Sequence, residues 1–512
     1  MPSTSTNNKR IAKNTIILYI RMLSTMAIGL YTSRVILNTL GVTDFGVYNV
    51  VGGIITMFGF INGTMAGASS RFITFELGTG NKIKLKKVFG QSLSIHLIIA
   101  LLILILGETI GLWFIYEKVQ IPTERFASAL IVYHLSIAAS MINIMSVPYN
   151  SAIIAHEKMS AFAYITILDV VLKLAVAFSL ILIPFDKLIV YAILIFIVQI
   201  IDQVIYLIYS CKKFEEARTL FLWDKTLFKE MSSFAGWNLF GNIAYTLFTQ
   251  GQNILLNLFF GPTVNAARGV SVQVQSVVGS FIRNFQTALN PQIIKNYASG
   301  QLLEMNRLIY MSTRLSFFLM LMLSLPVLIK TEYILTLWLK TVPDYTIIFL
   351  RLMLIISITD TLSNPLMVAA QSTGKIRVYQ QVIGSILLCI IPFSYLALKC
   401  GAPAYSVFIV HLICTIVAQG ARLYMIRPMI KLSLKEYFKE VLIKISIVFT
   451  LASILSTIFN YLFHGNNIIN LILSTLSSII TTSILIYFLG LDKTEKQFIS
   501  NKIKPLKIRH KL

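Results

Sequence analysis

Charge is scarce in this chain, and negative charge is scarcest. Asp, Glu, Lys and Arg make up 13% of 512 residues, with 21 acids against 44 bases, while 56% of residues are hydrophobic and mean hydropathy is +0.76. A water-soluble core does not need that much apolar surface, so a soluble enzyme is excluded first. Cysteine is nearly absent: Cys211, Cys389, Cys400 and Cys414 are scattered, which leaves no disulfide framework and no CxxC metal site. No metal or cofactor is therefore expected. An ATPase module is missing as well. Thr373-Gly374-Lys375 looks superficially like a phosphate loop, but Ala369 stands where that motif needs glycine, and Ile376 where it needs Ser or Thr. The outer loops are short and carry no DxD pair, which argues against a membrane glycosyltransferase. Nor does a small-residue cleavage site follow the first apolar stretch, which contains Arg21; it is expected to be a retained helix rather than a signal peptide.

What is abundant is hydrocarbon in lengths that fit a bilayer. Runs of about 20 apolar residues span roughly 30 Å as helices, and in lipid a helix is the way to satisfy every backbone group. Runs between turn signals fall at about 14–37, 45–70, 89–116, 126–150, 160–183 and 188–210, then at 232–259, 264–290, 307–330, 344–370, 377–399 and 402–426. Two more follow at about 440–462 and 467–490. The expected architecture is all-α: a polytopic membrane protein with 14 transmembrane helices. It divides into an N-terminal six-helix bundle (1–210), a cytoplasmic linker (211–230), a second six-helix bundle (231–430), two extra helices (431–490) and a basic cytoplasmic tail (491–512).

The net charge of +23 would suggest nucleic acid in a soluble protein, but its placement decides otherwise. Alternate loops separate into 29 Lys and Arg on one side and six on the other, Lys118, Arg125, Lys187, Lys330, Lys340 and Lys399. The rich side includes Lys82, Lys84, Lys86 and Lys87, the linker cations from Lys212 to Lys229, Arg422 and Arg427, and the tail. By the positive-inside rule both termini are cytoplasmic, as an even number of spans requires, and the basic charge reports topology plus attraction to anionic headgroups. Nucleic acid is not an expected partner; membrane lipids are.

The chain also repeats itself. Leu40–Tyr48, LGVTDFGVY, caps one apolar run and opens the next, and Phe260–Val270, FGPTVNAARGV, answers it with Gly41 matched to Gly261 and Thr43 to Thr263, 220 positions on. Gly80 and Gly300 keep the same offset, while Pro148 with Pro365 and Lys158 with Lys375 are 217 apart. Six helices return the chain to the same side, so the two bundles are expected in parallel orientation about a pseudo-two-fold axis along the membrane normal, with a cavity between them, as in transporters built from repeats.

Nine cations fall within or at the ends of the spans: Arg21, Arg34, Arg71, Lys173, Arg268, Arg283, Arg314, Arg351 and Lys444. A central Arg costs roughly 2.5–3.5 kcal/mol to insert, so the deep ones should face protein or water, while Arg34, Arg71, Arg268 and Lys444 can snorkel. At 100° per residue, Arg268, Gln275, Gly279, Arg283, Gln286 and Asn290 share about 80° of helix face. Asn238, Asn242, Tyr245, Thr249, Gln252 and Asn253 line a second face, and Asn49, Gly53, Thr56, Gly63, Gly67, Arg71 and Thr74 a third; Asn14, Arg21, Thr25 and Thr32 align in the first span. Packing by small residues and amides accounts for much of the Gly-rich stripe. It does not require the cations. An aqueous, cationic cavity rich in amides suits a ligand with phosphates and hydroxyls, Arg for the former and Asn and Gln for the latter.

Acids are few inside the spans. Asp169 and Lys173, four apart on one helix, can neutralise one another. Asp202 and Asp360 have no sequence partner and are candidates for coupling to H+ or Na+, with Asp169 as a third. His96, His134 and His411 are expected as helix contacts rather than proton carriers.

Taken together, the LG-x-x-x-FG-x-Y turn of Leu40–Tyr48, the basic turn after Gly80, the Pro148 and Lys158 region and the 6+6+2 plan resemble the polysaccharide transporters, or O-antigen flippases. These belong to the superfamily that holds the multidrug and toxic compound extrusion (MATE) transporters and the peptidoglycan lipid flippase. The resemblance implies translocation of undecaprenyl-diphosphate-linked oligosaccharide across the bacterial inner membrane by alternating access, for O-antigen, capsule or exopolysaccharide, alongside polysaccharide polymerase machinery. It would place Arg21, Arg71, Arg268 and Arg283 on diphosphate and acidic sugars, and Asn242, Asn253, Gln275 and Gln286 on glycan. Alternatives within the superfamily are a peptidoglycan precursor flippase and a multidrug/cation antiporter; the excess of Arg over Asp argues against the last. No catalytic residue, and so no enzyme, is expected.

Overall fold

The computed structural model describes residues 4–57, 59–117, 119, 121–339, 342–462, 467–493 and 495–497. Lys118, Lys340, the tail cations from 502 onward and the side chains of Lys9, Asn49, Gly53 and Thr56, which entered the sequence argument, lie outside the described residues.

The described residues form helices and turns, with no strand among them. In chain order the helices are α1 (Thr4–Met57), α2 (Gly59–Thr79), α3 (Lys82–Leu106), α4 (Leu112–Glu117), α5 (Phe126–Ala155), α6 (Met159–Leu182) and α7 (Lys187–Lys213). Then come α8 (Lys225–Phe260), α9 (Pro262–Ala298), α10 (Leu302–Ile329), α11 (Thr331–Leu339), α12 (Thr346–Asp360) and α13 (Ser363–Ser372). The last are α14 (Arg377–Leu388), α15 (Ile390–Lys399), α16 (Ser406–Ile430), α17 (Leu434–Tyr437), α18 (Lys444–Leu462) and α19 (Ile468–Leu485). Eleven stretches among the described residues are long and apolar enough to cross a membrane. The expected spans at 45–70, 232–259 and 264–290 correspond to α1 and α2, α8 and α9 but are not among those eleven; in α8 and α9 the polar stripes dilute the hydropathy.

Boundaries follow from local chemistry. Asn81 caps α3 by accepting from Lys84 N at 3.0 Å, Asp186 caps α7 by accepting from Leu188 N at 3.0 Å, and Asp224 caps α8 through Thr226 N and Leu227 N. Pro392 supplies no N–H to the carbonyl of Leu388, and the helix breaks there into α14 and α15.

The duplication is written in the backbone. Gly41 (φ 80, ψ 168) and Gly261 (φ 78, ψ −173) share one conformation, Gly80 (φ 73) and Gly300 (φ 75) another. The third pair of turns conforms as well: Glu157 (φ 58) stands 217 positions before Gly374 (φ 77), each immediately preceding the matched lysines Lys158 and Lys375. Thr373-Gly374-Lys375 is therefore a helix-ending turn, closed by Gly374 N donating to Gln371 O at 3.1 Å.

Packing divides the chain into two compact units, Lys13–Leu239 and Phe240–Leu512, the latter joined by Met1–Ala12. In the first, Val51, Ile115, Val132, Tyr133 and Leu188 form a buried cluster, and Ile36, Val176, Leu180 and Tyr191 another. In the second, Leu256, Phe349, Met353, Val407 and Phe408 fill the core. Large apolar side chains also point outward, Leu182, Leu258 and Ile469 among them, as a surface solvated by lipid requires.

Candidate functional site

Each unit carries its own polar cluster. In the N-terminal unit Arg21 of α1 is half-buried, with its guanidinium 4.6 Å from the ring centroid of Phe162 on α6, a cation–π arrangement. Two turns further along α6, Asp169 Oδ1 lies 2.8 Å from Lys173 Nζ, so the neutralisation expected from their spacing is made. Asp202 of α7 is buried and within hydrogen-bonding reach of Asp169. Tyr206, one turn on from Asp202 and hydrogen-bonded to Thr166, interacts with Arg21 and both carboxyls. Two carboxyls beside one ammonium leave a negative charge that a proton, Arg21 or a ligand cation must balance.

Arg71 of α2 sits elsewhere in the same unit. It is buried, and its guanidinium lies 4.6, 4.7 and 5.4 Å from the ring centroids of Phe72, Phe75 and Phe234.

In the C-terminal unit, Arg268 and Arg283 of α9 and Asp360 at the end of α12 all interact with Tyr245 of α8. Arg268 is buried and donates from Nη2 to Thr249 O at 2.9 Å. Arg283 is exposed and folds back along its own helix, donating to Ser276 O at 3.1 Å and Ser280 Oγ at 2.7 Å. The amides are spread along the same helices. Gln275 donates to Ser357 Oγ at 2.6 Å and buried Gln286 to Ser316 Oγ at 3.2 Å, whereas Asn242 is exposed and Asn253 half-buried. Of the histidines, His96 contacts Ser92 O at 2.8 Å, His134 contacts Glu108 at 2.9 Å, and His411 packs edge-on against Phe248.

Arg314, one of the nine cations of the spans, faces protein as a deep Arg should: it is 1% exposed and bonded to carboxylates, Nη2 lying 2.8 Å from Asp492 and 2.7 Å from Glu495, and Nη1 donates to Glu440 O at 2.9 Å. Arg422, counted as a loop cation, is buried inside α16, where it donates to Ser363 Oγ (2.5 Å), Tyr379 OH (3.2 Å) and Gln419 Oε1 (3.4 Å). The signal for the latter was available: Gln419 and Arg422 stand three apart on one helical face.

Long apolar helices in two units, each with buried cations and carboxyls, define a polytopic membrane protein. The solved structures that resemble it bear this out at the level of fold. A MATE transporter in the bent conformation superposes with a TM-score of 0.72 at 12% identity, over 84% of this chain and 98% of that one. An outward-facing multidrug resistance MATE transporter of the MOP superfamily gives 0.70 at 14%, over 83% and 96%. A MOP superfamily transporter from Pyrococcus furiosus, described as having a binding pocket of reverse polarity, gives 0.69 at 13%, over 83% and 96%. No curated protein matches the chain. The family described as polysaccharide biosynthesis protein matches residues 11–303, and the chain belongs to it.

Proposed function

We propose that this protein is a flippase for undecaprenyl-diphosphate-linked oligosaccharide, moving repeat units from the cytoplasmic to the periplasmic leaflet of the bacterial inner membrane by alternating access, with both its termini in the cytoplasm. The observation that carries the reading is a contrast within one unit. Arg314 gives its charge to Asp492 and Glu495, whereas Arg268 and Arg283 donate to backbone carbonyls and a serine hydroxyl. The second pair keeps positive charge for an anionic ligand, and the diphosphate of a lipid-linked sugar is bidentate chemistry that guanidinium matches. Asn242, Asn253, Gln275 and Gln286 supply amides for glycan hydroxyls. In the N-terminal unit Arg21, beside Phe162, and Arg71, among Phe72, Phe75 and Phe234, contribute the cations for anionic groups of the ligand. Asp169 and Asp202 are the coupling pair, taking up H+ or Na+, and Asp360 is the C-terminal counterpart. Polysaccharide polymerase machinery is the partner that receives the product.

The family match favours sugar-polymer assembly over the superfamily's multidrug/cation antiporters, and helices that carry more Arg than acid suit a drug cation poorly. A peptidoglycan precursor shares the diphosphate and differs in its sugar. The test is flipping in proteoliposomes of a fluorescent undecaprenyl-diphosphate oligosaccharide by the wild type, Arg268→Ala, Arg283→Ala and Arg283→Lys. Both alanine variants are expected to lose flipping with thermal stability retained, the lysine variant to keep part of it. Full activity in the double alanine variant would remove the reading, and preference for a peptide-bearing precursor lipid would replace the substrate.

A further inference from the structure

The chain between α7 and α8 is not a slack connector. Its last six residues, Thr219–Asp224, run extended along α3 and are tied to one stretch of it. Leu222 N donates to Gly90 O at 3.3 Å, Ser94 Oγ donates to Leu222 O at 2.7 Å, and Asp224 N donates to Gln91 Oε1 at 2.7 Å. Contact is so close that a Cβ at Gly90 would stand 2.8 Å from Leu220 O and 2.9 Å from Leu222 Cβ. Three large side chains are left exposed on this fixed backbone: Leu220 is 80% exposed, Phe221 54% and Trp223 57%, the last with its ring 4.7 Å from that of Phe228. An immobilised strand that displays three such groups has a partner surface.

Depth identifies that surface. The strap meets α3 at Gly90–Ser94, immediately after the turn carrying Lys82, Lys84, Lys86 and Lys87 and immediately before the apolar run of Ile95–Leu106. That is where a spanning helix passes from water into hydrocarbon, the level at which Trp and other amphipathic rings collect. Charge gives the sign. Lys212, Lys213, Arg218, Lys225 and Lys229 flank the strap and are exposed. The acids among them are engaged within the protein: Glu216 with His156 at 2.5 Å, Glu215 with Lys82 and Lys86 at 3.7 and 3.8 Å, and Asp224 as the α8 cap. A cationic rim around an apolar wedge complements an anionic leaflet.

We propose that Thr219–Asp224 is an interfacial anchor that inserts Leu220, Phe221 and Trp223 into the cytoplasmic headgroup region, with the flanking cations holding anionic phospholipid. The junction between the two halves of the chain is thereby pinned to the bilayer surface, and Gly90 is the position that permits it. This stands independently of the transported substrate.

The test uses the full chain with Trp223 as its only tryptophan, Trp113, Trp237 and Trp338 being replaced by Phe, in vesicles of phosphatidylcholine with or without phosphatidylglycerol. Phospholipid brominated near the top of its acyl chains is expected to quench Trp223, aqueous iodide is not, and removing phosphatidylglycerol or replacing Lys212, Lys213, Arg218 and Lys225 with Gln is expected to weaken the lipid quenching. Gly90→Val is expected to lose lipid quenching and gain iodide quenching. Should that variant fail to fold, Leu222→Asp releases the same strap without changing α3. Strong iodide quenching with none from bromolipid in the unaltered strap overturns the proposal and marks the wedge as a site for a soluble partner; equal lipid quenching in both vesicle types overturns the assignment to anionic lipid.

Discussion

Arg125 Nε donates to Asp44 Oδ1 at 2.7 Å across 81 positions of sequence, and its Nη2 reaches the other oxygen of the same carboxylate. Asp44 is the acid of the LGVTDFGVY turn, and Arg125 precedes α5. Its Nη1 bonds Asp186, the cap of α7, at 2.9 Å. One guanidinium therefore joins the Gly41 kink of α1 to the starts of α5 and α7. Burial works against ionisation of Asp186, but the Ser128 hydrogen bond and the Arg125 charge hold it below the usual carboxylate range.

Removing this fork tests what the turn is for. Arg125→Ala leaves Asp44, which is 8% exposed, without its cation, and is expected to cost about 1.5–3 kcal/mol, the range for hydrogen bonds to charged groups. Asp44→Asn should cost less, and the double variant less than the sum of the two, because each single change strands the other's partner. Denaturant unfolding in detergent micelles reads all three.

The duplicated glycines give a prediction that needs no assumption about function. Gly41 and Gly261 occupy positive φ with ψ near ±170°, a region that β-carbons bar, and a Cβ built on either would meet nothing within 4 Å. Gly41→Ala and Gly261→Ala should each cost about 1–3 kcal/mol through the backbone alone. Equal penalties in the two halves, measured by thermal unfolding, are the expected result.

This pairing also shows what was legible in the sequence. The offset of 220 located both turns, because a glycine demanded by φ is visible as a letter, and apolar run length located the helices. The matched position of Glu157 and Gly374 was invisible, since a glutamate at φ 58 carries no such mark. Nor does a letter say what a charge is bonded to. Arg268 and Arg314 look alike in spans of similar length, and their roles part only when residues far along the chain, Asp492 and Glu495, are folded against one of them. Arg422 was misplaced for the same reason: the charge rule counts a basic residue near a span end as loop, and burial among Ser363, Tyr379 and Gln419 is a tertiary fact.

Arg314 makes the sharpest structural prediction. Arg314→Ala leaves Glu495, 10% exposed, facing a void, and breaking a buried pair of this kind costs about 3–5 kcal/mol. Arg314→Met with Glu495→Leu should recover most of the loss, since apolar groups of similar size replace such pairs well. Protection of Arg314 by the segment after α19 further implies that a chain ending at Gly490 is destabilised like the alanine variant.

The same cluster sets a pH dependence. Burial alone would raise the carboxyl of Asp492, but the hydrogen bond from Lys444 and the charge of Arg314 hold it below the ordinary carboxylate value. Because the folded value lies below the unfolded one, its stabilisation is complete above about pH 4 and is lost as pH falls through the lower, folded value. Unfolding of the wild type and Asp492→Asn should therefore differ at neutral pH and converge in acid.

The acid pair of the N-terminal unit separates coupling from architecture. Asp169 is bonded to Lys173, so Asp169→Asn strands an ammonium at membrane depth and should cost about 1.5–3 kcal/mol, as expected for a hydrogen bond between charged groups. Asp202 has no such cation of its own; it touches Asp169 and interacts with Tyr206, contacts an amide can keep. Asp202→Asn should leave thermal stability near that of the wild type while removing one exchangeable proton. In proteoliposomes, flipping by that variant should persist without a gradient and no longer respond to an imposed proton gradient. A wild-type response in Asp202→Asn would move the coupling site to Asp169 or to Asp360, which faces Arg422 and Ser363 and shares Tyr245 with the α9 arginines.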